Sequence, residues 1–183
     1  MNSITGKIVL VDIDSCVRCY ACEIACRQEH DLTSETASSW CRVMTVGPRR
    51  VGGKLHMDFV PLFCQHCDDP VCASLCPESA ITKGDDGLVL IDEKACSGCK
   101  RCINGCPYGC ISFNEVTGKA GHCDLCRERL EAGIEPACVQ HCIGGALHLV
   151  TREELGERAS GHDRFFSGKV CYVSNRWKLS DRG

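Results

Sequence analysis

The sequence has few aromatic residues and no long hydrophobic run, and both shortages limit what can hold its fold together. Phe, Trp and Tyr make up 5% of the 183 residues. The longest aliphatic run, Ile8 to Val11, is far shorter than the ~20 apolar residues that span a bilayer, so no direct membrane insertion is expected. A core with so little apolar material needs reinforcement from disulfides or bound metal.

The chain also lacks a basic run and an export signal. Its formal net charge of −3 argues against nucleic acid as a partner. The first residues, MNSITGKIVLVDID, contain neither a basic start before an apolar stretch nor paired arginines. We therefore expect a cytoplasmic protein, in which thiols stay reduced and structural disulfides are rare.

Cysteine is what the sequence has in abundance: 19 residues, an odd number that cannot pair completely within one chain. Sixteen of them form four groups of four. The groups are Cys16-x2-Cys19-x2-Cys22-x3-Cys26, Cys64-x2-Cys67-x4-Cys72-x3-Cys76, Cys96-x2-Cys99-x2-Cys102-x3-Cys106 and Cys123-x2-Cys126-x11-Cys138-x3-Cys142.

The first and third groups have the spacing that holds [4Fe–4S] clusters in bacterial ferredoxins. A structural zinc site takes four ligands, usually from two separated pairs, and would leave the extra cysteine of these groups idle. A disulfide framework would require an oxidising compartment. The spacing favours iron–sulfur clusters, with a zinc-stabilised interaction module and a disulfide scaffold as the alternatives.

An internal repeat predicts the fold around these groups. The strand-like stretch Val9 to Asp12 precedes Cys16 as Val89 to Asp92 precedes Cys96, a constant offset of 80 residues. After the last cysteine of groups two, three and four, the pattern predicts a short helical turn and then a strand beginning near Ile81, Ile111 or Leu147. We expect an α+β fold of tandem ferredoxin-like modules that form two pseudo-twofold halves.

The same pattern divides the chain. Residues 1–30 and 107–150 are assigned to an outer module, 63–106 to an inner module, 31–62 to an inserted hairpin and 151–183 to a C-terminal extension. The hairpin strands are predicted at 42–46 and 55–60, with Arg49 and Arg50 at the tip either solvated or in contact with an acidic partner. The extension opens with a capping-box pattern, Thr151 to Glu154, and its Tyr172 and Trp177 are of the type enriched at interfaces.

The stretches DSCVRCYACEIAC, CQHCDDPVCASLCP, CSGCKRCINGCPYG and HCDLCRERLEAGIEPACVQHC together resemble a known family. They are similar to the four-cluster iron–sulfur subunits of molybdenum or tungsten pterin oxidoreductases, such as formate dehydrogenase, dimethyl sulfoxide reductase and the tungsten benzoyl-CoA reductase type. They also resemble the ferredoxin-like subunits of hydrogenase and carbon monoxide dehydrogenase systems. The resemblance implies [4Fe–4S] cofactors, with four clusters expected and three as the alternative count.

In that family the outer groups exchange their last cysteines with each other, and the inner groups do the same. The resemblance implies four ligand sets: Cys16, Cys19, Cys22 and Cys142 (first set); Cys64, Cys67, Cys72 and Cys106 (second set); Cys96, Cys99, Cys102 and Cys76 (third set); Cys123, Cys126, Cys138 and Cys26 (fourth set). The sequence adds a parallel observation. Pro77 and Pro107 follow the last cysteines of the inner groups, whereas Arg27 and Ile143 stand at these places in the outer groups.

Four residues outside the ligand sets carry separate predictions. Cys110 stands where the repeat has alanine, so it is expected to be a small residue beside a cluster, and Cys41 and Cys171 are expected to be free packed thiols. His66 is either an N–H donor to a cluster sulfur or a loop histidine with another partner.

The sequence shows no nucleophile elbow, phosphate-binding loop or radical C-x3-C-x2-C motif. We therefore expect a non-catalytic electron-transfer subunit that connects a larger catalytic subunit, of the molybdenum or tungsten pterin type by resemblance, to further redox subunits or ferredoxin. A free-standing soluble polyferredoxin is the alternative.

Overall fold

The computed structural model describes residues 4–33 and 37–178, and in them short helices alternate with small sheets, as expected of an α+β fold. Positions 1–3, 34–36 and 179–183, which belong to the predicted outer module, insertion and extension, lie outside the described residues. The helices are α1 Ala21–Glu29, α2 Val71–Ser74, α3 Arg101–Gly105, α4 Arg127–Glu131, α5 Ala137–Gln140 and α6 Arg152–Arg158. The strands are β1 Ile8–Asp12, β2 Arg42–Val51, β3 Lys54–Leu62, β4 Ile81–Lys83, β5 Val89–Ile91, β6 Ile111–Asn114, β7 Lys119–His122, β8 Leu147–Val150, β9 Asp163–Ser167 and β10 Val170–Ser174.

The largest sheet has the order β8-β1-β10-β9 and joins the two ends of the described chain. Strand β1 pairs antiparallel with β8 and parallel with β10. Val9 and Val11 pack into the main core, whereas Ile8 and Leu10 pack on the opposite face with Leu155 of α6. Because both faces are covered, the strand is a continuous apolar run and does not alternate.

The C-terminal extension is part of this sheet, which the sequence did not predict. Helix α6 begins with the expected capping box, in which Thr151 and Glu154 exchange side-chain and backbone hydrogen bonds. Every residue of β10 is buried. Tyr172 therefore faces the interior, and its hydroxyl accepts a hydrogen bond from Gln65 Nε2 at 3.0 Å. The interpretation of Tyr172 as an interface aromatic was wrong, because β10 is an inner strand covered on both faces.

The hairpin β2–β3 pairs antiparallel, and its strands are longer than the two predicted segments. Pairing continues through most of GPRRVGGK, with a register shift between Val46 and Arg49. Arg49 is not available to a partner as predicted. Its Nη2 lies 2.9 Å from the fully buried carboxylate of Asp58, which also contacts Arg176 at 3.0 Å and accepts the Trp177 indole N–H at 2.9 Å. An unpaired buried carboxylate would be costly, and these donors compensate it.

The remaining sheets are two-stranded, β4–β5 and β6–β7. Strands β4, β6 and β8 begin at Ile81, Ile111 and Leu147, each five residues after the last cysteine of its group, as predicted. Each of these cysteine groups is therefore followed by a turn and a short strand. In the described residues no helix is long and apolar enough to cross a membrane.

Candidate metal centres

The loops that carry the cysteines have two repeated conformations. In the first group Arg18 and Tyr20 have positive φ angles of 58° and 59°, and 80 residues later Gly98 and Lys100 have 72° and 61°. A non-glycine residue in this region carries strain, which proteins concentrate at functional sites. The sequence repeat is therefore also a repeat of backbone conformation.

The second and fourth groups share another conformation. His66 and Leu125, each two residues after a first cysteine, have positive φ angles of 50° and 62°. Their amides donate to Cys64 Sγ at 3.5 Å and Cys123 Sγ at 3.4 Å. These N–H groups point at sulfur, an orientation that stabilises a thiolate.

A third repeated contact lies at the last cysteine of three groups. The amide four residues further on donates to the sulfur: Ala80 to Cys76 at 3.3 Å, Cys110 to Cys106 at 3.4 Å and Ala146 to Cys142 at 3.2 Å. Cys26 lies in a different local structure, because α1 continues past it to Glu29. Arg27, which stands where the inner groups have proline, lets the helix continue since it has a backbone N–H.

Three cavities each bring together thiols from two groups. In each one, three cysteines of one group meet the last cysteine of another. Cys16, Cys19 and Cys22 share a cavity with Cys142; Cys64, Cys67 and Cys72 share one of about 350 Å³ with Cys106; and Cys96, Cys99 and Cys102 share one with Cys76.

Of the other four predicted ligands, Cys26 and Cys126 are buried and Cys123 and Cys138 are half-buried. Burial raises the pKa of the Cys138 thiol well above its usual value, and its neighbours Cys126 and Cys26 raise it further. Burial likewise raises the pKa of Cys123 well above its usual value, with contributions from Cys138 and Cys26. Cys26 of α1 therefore lies with the fourth group, far along the chain from its own.

The donor sets fit a polynuclear iron–sulfur group. Burial is the main cause that raises the pKa of Cys72 to about 11 and of Cys126 to about 12, and neighbouring thiols add to both shifts. Four crowded thiolates repel one another unless a cationic group lies between them. Soft thiolate ligands select zinc, Cu(I) or iron–sulfur clusters, and the amide–sulfur contacts resemble those that tune clusters.

His66, in the loop of the second cysteine group, is a fully buried side chain. Its Nδ1 accepts the Val89 amide at 3.0 Å, so the proton of the neutral ring is on Nε2. Burial lowers the pKa of His66 to about 3, which keeps the ring neutral. Nε2 is fully buried and has no acceptor within the described part of the chain. A sulfur atom of a bound cluster would be a suitable acceptor.

The structure also places two cysteines, outside the predicted ligand sets, next to ligands of those sets. Cys41 is buried in the same core cluster as Cys22, and its thiol is the main cause that lowers the pKa of the Cys22 thiol. Cys110 lines the cavity of about 350 Å³, and its thiol donates to the Phe63 carbonyl at 3.1 Å. Cys171 is packed in the small core on the α6 side of the sheet, as predicted. Cys110 thus lies beside a predicted ligand set, as its place in the repeat indicated. The position of Cys41 next to Cys22 depends on tertiary contacts that the local sequence does not reveal.

A family model described as a 4Fe-4S dicluster domain matches residues 55–152, more than half of the sequence. This protein belongs to the 4Fe-4S dicluster family. The match confirms the iron–sulfur prediction made from the cysteine spacing and identifies [4Fe–4S] clusters as the cofactor.

Curated relatives of this 4Fe-4S dicluster protein are components of named oxidoreductases. It is 35% identical over 153 residues to a component of the anaerobic dimethyl sulfoxide reductase of Escherichia coli K12, covering 81% of this sequence and 75% of that relative. It is 37% identical over 141 residues to a component of the tetrathionate reductase of Salmonella typhimurium LT2, covering 75% of this sequence. It is 34% identical over 165 residues to the iron-sulfur subunit of the nitrate-inducible formate dehydrogenase of E. coli K12, covering 82% of this sequence. The protein spans 55% and 56% of the length of these last two relatives.

Proposed function

We propose that the protein is a non-catalytic electron-transfer subunit that carries four [4Fe–4S] clusters, one in each of the four ligand sets. When bound, the clusters supply one-electron redox chemistry. The observation that carries the proposal is the exchange of last cysteines between groups, since it gives every set four thiols. In every set the protein directs at least one amide N–H group at a sulfur, which tunes the potential.

The contacts between sets support a single row. Cys22 of the first set is close enough to raise the pKa of Cys138 in the fourth, and Cys64 of the second set raises that of Cys123. The second and third sets meet in one small core, where Cys72 and Cys106 pack with Cys102. The proposed order is first, fourth, second, third. The proposed domains are an outer (1–30, 107–150) and an inner (63–106) ferredoxin-like module, with a hairpin insertion (31–62) and an extension (151–183). Strands β6 and β7 of the outer range pack in the core of the inner sets.

We propose a larger catalytic oxidoreductase subunit as the partner, of the molybdenum or tungsten pterin type. The names of the relatives support this, because tetrathionate reductase, dimethyl sulfoxide reductase and formate dehydrogenase are the complexes to which those relatives belong. Further redox subunits or a ferredoxin would exchange electrons at the other end of the row. A cytoplasmic location and the absence of nucleic acid partners belong to the same proposal.

One surface suits this partner. Beside the first set, Val17 lines a cavity with the exposed Cys19, and Ile24 and Ile143 line another with Cys142. These three apolar side chains are 63%, 56% and 82% exposed. Apolar patches of this kind mark protein interfaces, and electron transfer requires a partner's cofactor to approach an exposed cluster edge. The partner that fits is a redox subunit with an apolar contact face.

Purification from the native host tests the proposal. The protein should co-purify with a larger pterin-containing protein and carry about sixteen iron atoms per molecule. Ile143→Arg should reduce the recovered partner at least tenfold without loss of iron, because a charge would be buried in the interface. Val116→Arg is the matched control, since Val116 is 74% exposed on the β6–β7 turn. Elution of the unmodified protein alone, with full iron content, would support the polyferredoxin alternative, and zinc with little iron would refute both.

A further inference from the structure

The imidazole of His30 lies against a sulfur of the fourth set. His30 follows α1, the helix that carries Cys26, and its Nε2 is 3.5 Å from Cys126 Sγ. The same Nε2 is 3.5 Å from Asp124 Oδ1. A thiolate sulfur and a carboxylate oxygen are both acceptors, so Nε2 makes favourable contacts only when it carries a proton. His30 is therefore an N–H donor to Cys126.

Two neighbours fix the position of this donor. The ring of His30 packs on Trp40, with centroids 4.5 Å apart and planes at 39°. Trp40 is itself held by a hydrogen bond from its indole N–H to Ser112 Oγ at 3.2 Å. The His30 side chain is only 14% exposed, so it has little freedom to turn into water.

Asp124 fixes the other side of the contact. Its Oδ1 accepts the Cys126 amide at 2.8 Å. That bond stabilises a loop in which Leu125 and Cys126 both have positive φ, 62° and 48°. The Asp124 carboxylate thus contacts both the strained loop and the His30 imidazole and fixes their relative positions. Backbone strain held in place by several contacts is typical of functional sites.

We propose that His30 is a positioning residue that raises the reduction potential of the cluster held by the fourth set. Reduction adds negative charge to the cluster and its thiolates, and an N–H···S bond is stronger to the more negative state. The donor therefore favours the reduced form. This inference rests on the proposed function, because it takes Cys126 to be a cluster ligand.

The test is a redox titration of the purified holoprotein followed by electron paramagnetic resonance, with iron content measured in parallel. In His30→Phe, which keeps an aromatic ring beside Trp40 but removes the donor, one of the four potentials should fall and the others should stay in place. His30→Gln restores an N–H donor and should return that potential toward the unmodified value. His162→Phe, on the loop between α6 and β9, is the matched control and should change nothing.

Unchanged potentials in His30→Phe, or an equal shift of all four, would overturn the inference. If His30→Phe loses iron, the test uses His30→Met instead, because the flexible methionine side chain also lacks an N–H donor. The same fall of one potential is expected in His30→Met. If no potential falls, the inference is overturned. One zinc ion per molecule that disappears in His30→Phe would instead show that His30, Asp124 and Cys126 bind a separate ion, and would also overturn it.

Cys126→Ser separates this inference from the proposed function. If Cys126→Ser alters one cluster signal and His30→Phe leaves that signal's potential unchanged, the role of His30 is wrong while the ligand set stands. If Cys126→Ser alters no signal, the proposed ligand set itself is wrong.

Discussion

The outer and inner halves of the molecule surround their cysteines with different amounts of protein. In the outer half, the first and fourth sets, Cys22 and Cys26 belong to the largest core cluster together with β1 and β10. In the inner half, the second and third sets, Cys102 belongs to a small separate cluster built on β4, β5, β6 and β7. The iron–sulfur clusters of the outer half are therefore expected to lie within the central fold, and those of the inner half within a smaller peripheral unit.

This difference has a physical cause in the sheets. The proposed outer ligands Cys22 and Cys26 pack with a four-stranded sheet whose two central strands, β1 and β10, are almost entirely buried. By contrast, β4–β5 has only three residues in each strand. A two-stranded sheet of that length is not stable by itself. In the inner half, bound metal must therefore supply much of the local folding energy, as it does in other small metal-binding domains.

Removing one ligand from each half gives the largest expected effect. Cys138→Ala should lower Tm by about 10 °C, because it removes a ligand that packs against the main core, at a cost of several kcal/mol. Cys102→Ala should lose about four iron atoms but lower the main transition by no more than a few degrees. Calorimetry measures the Tm changes of the two variants, and iron analysis measures their loss of iron. Equal shifts of the main transition would remove the distinction between the halves.

Cys76→Ala tests the exchange of ligands inside the inner half. The variant should lose the cluster held by Cys96, Cys99 and Cys102 and keep the one held by Cys64, Cys67 and Cys72. About four of sixteen iron atoms should be lost, and one electron paramagnetic resonance signal should disappear with them. Cys72→Ala is the paired control and should remove a different signal. The exchange would be disproved if both variants removed the same one.

The smallest expected effect concerns the contact between the halves. Gly168, in the β9–β10 turn, has φ +51°, and a Cβ there would lie 2.3 Å from the His66 carbonyl oxygen. Gly168→Ala should therefore displace the loop of the second set and alter its signal. The left-handed conformation alone costs about 1–3 kcal/mol.

Gly161→Ala is the matched control, because Gly161 has φ +78° and a Cβ there would meet nothing within 4 Å. It should lower stability by a similar strain without changing the signal of the second set. If both variants changed that signal equally, the effect would be general destabilisation and the contact would have no specific role.

Local patterns in the sequence predicted local features of the fold well. The strands after Cys76, Cys106 and Cys142, the offset of 80 residues and the capping box at Thr151 depend on neighbouring residues, and the structure has all of them. The features that were missed depend on distant partners. Arg49 is neutralised by Asp58 and the C-terminal segment, and β10 completes a sheet with β1. Neither of these two contacts produces a recognisable pattern in the local sequence.

The position of β1 also sets an order of events during synthesis. This strand leaves the ribosome well before its two partners, residues 147–150 and 170–174. Closing such long loops is entropically costly and slows folding. The central sheet therefore forms only after residues 170–174 have been made, and in the proposed ligand sets the cysteines of the first group are completed only by Cys142. Iron delivery to the outer half is consequently a late step that follows the synthesis of these segments.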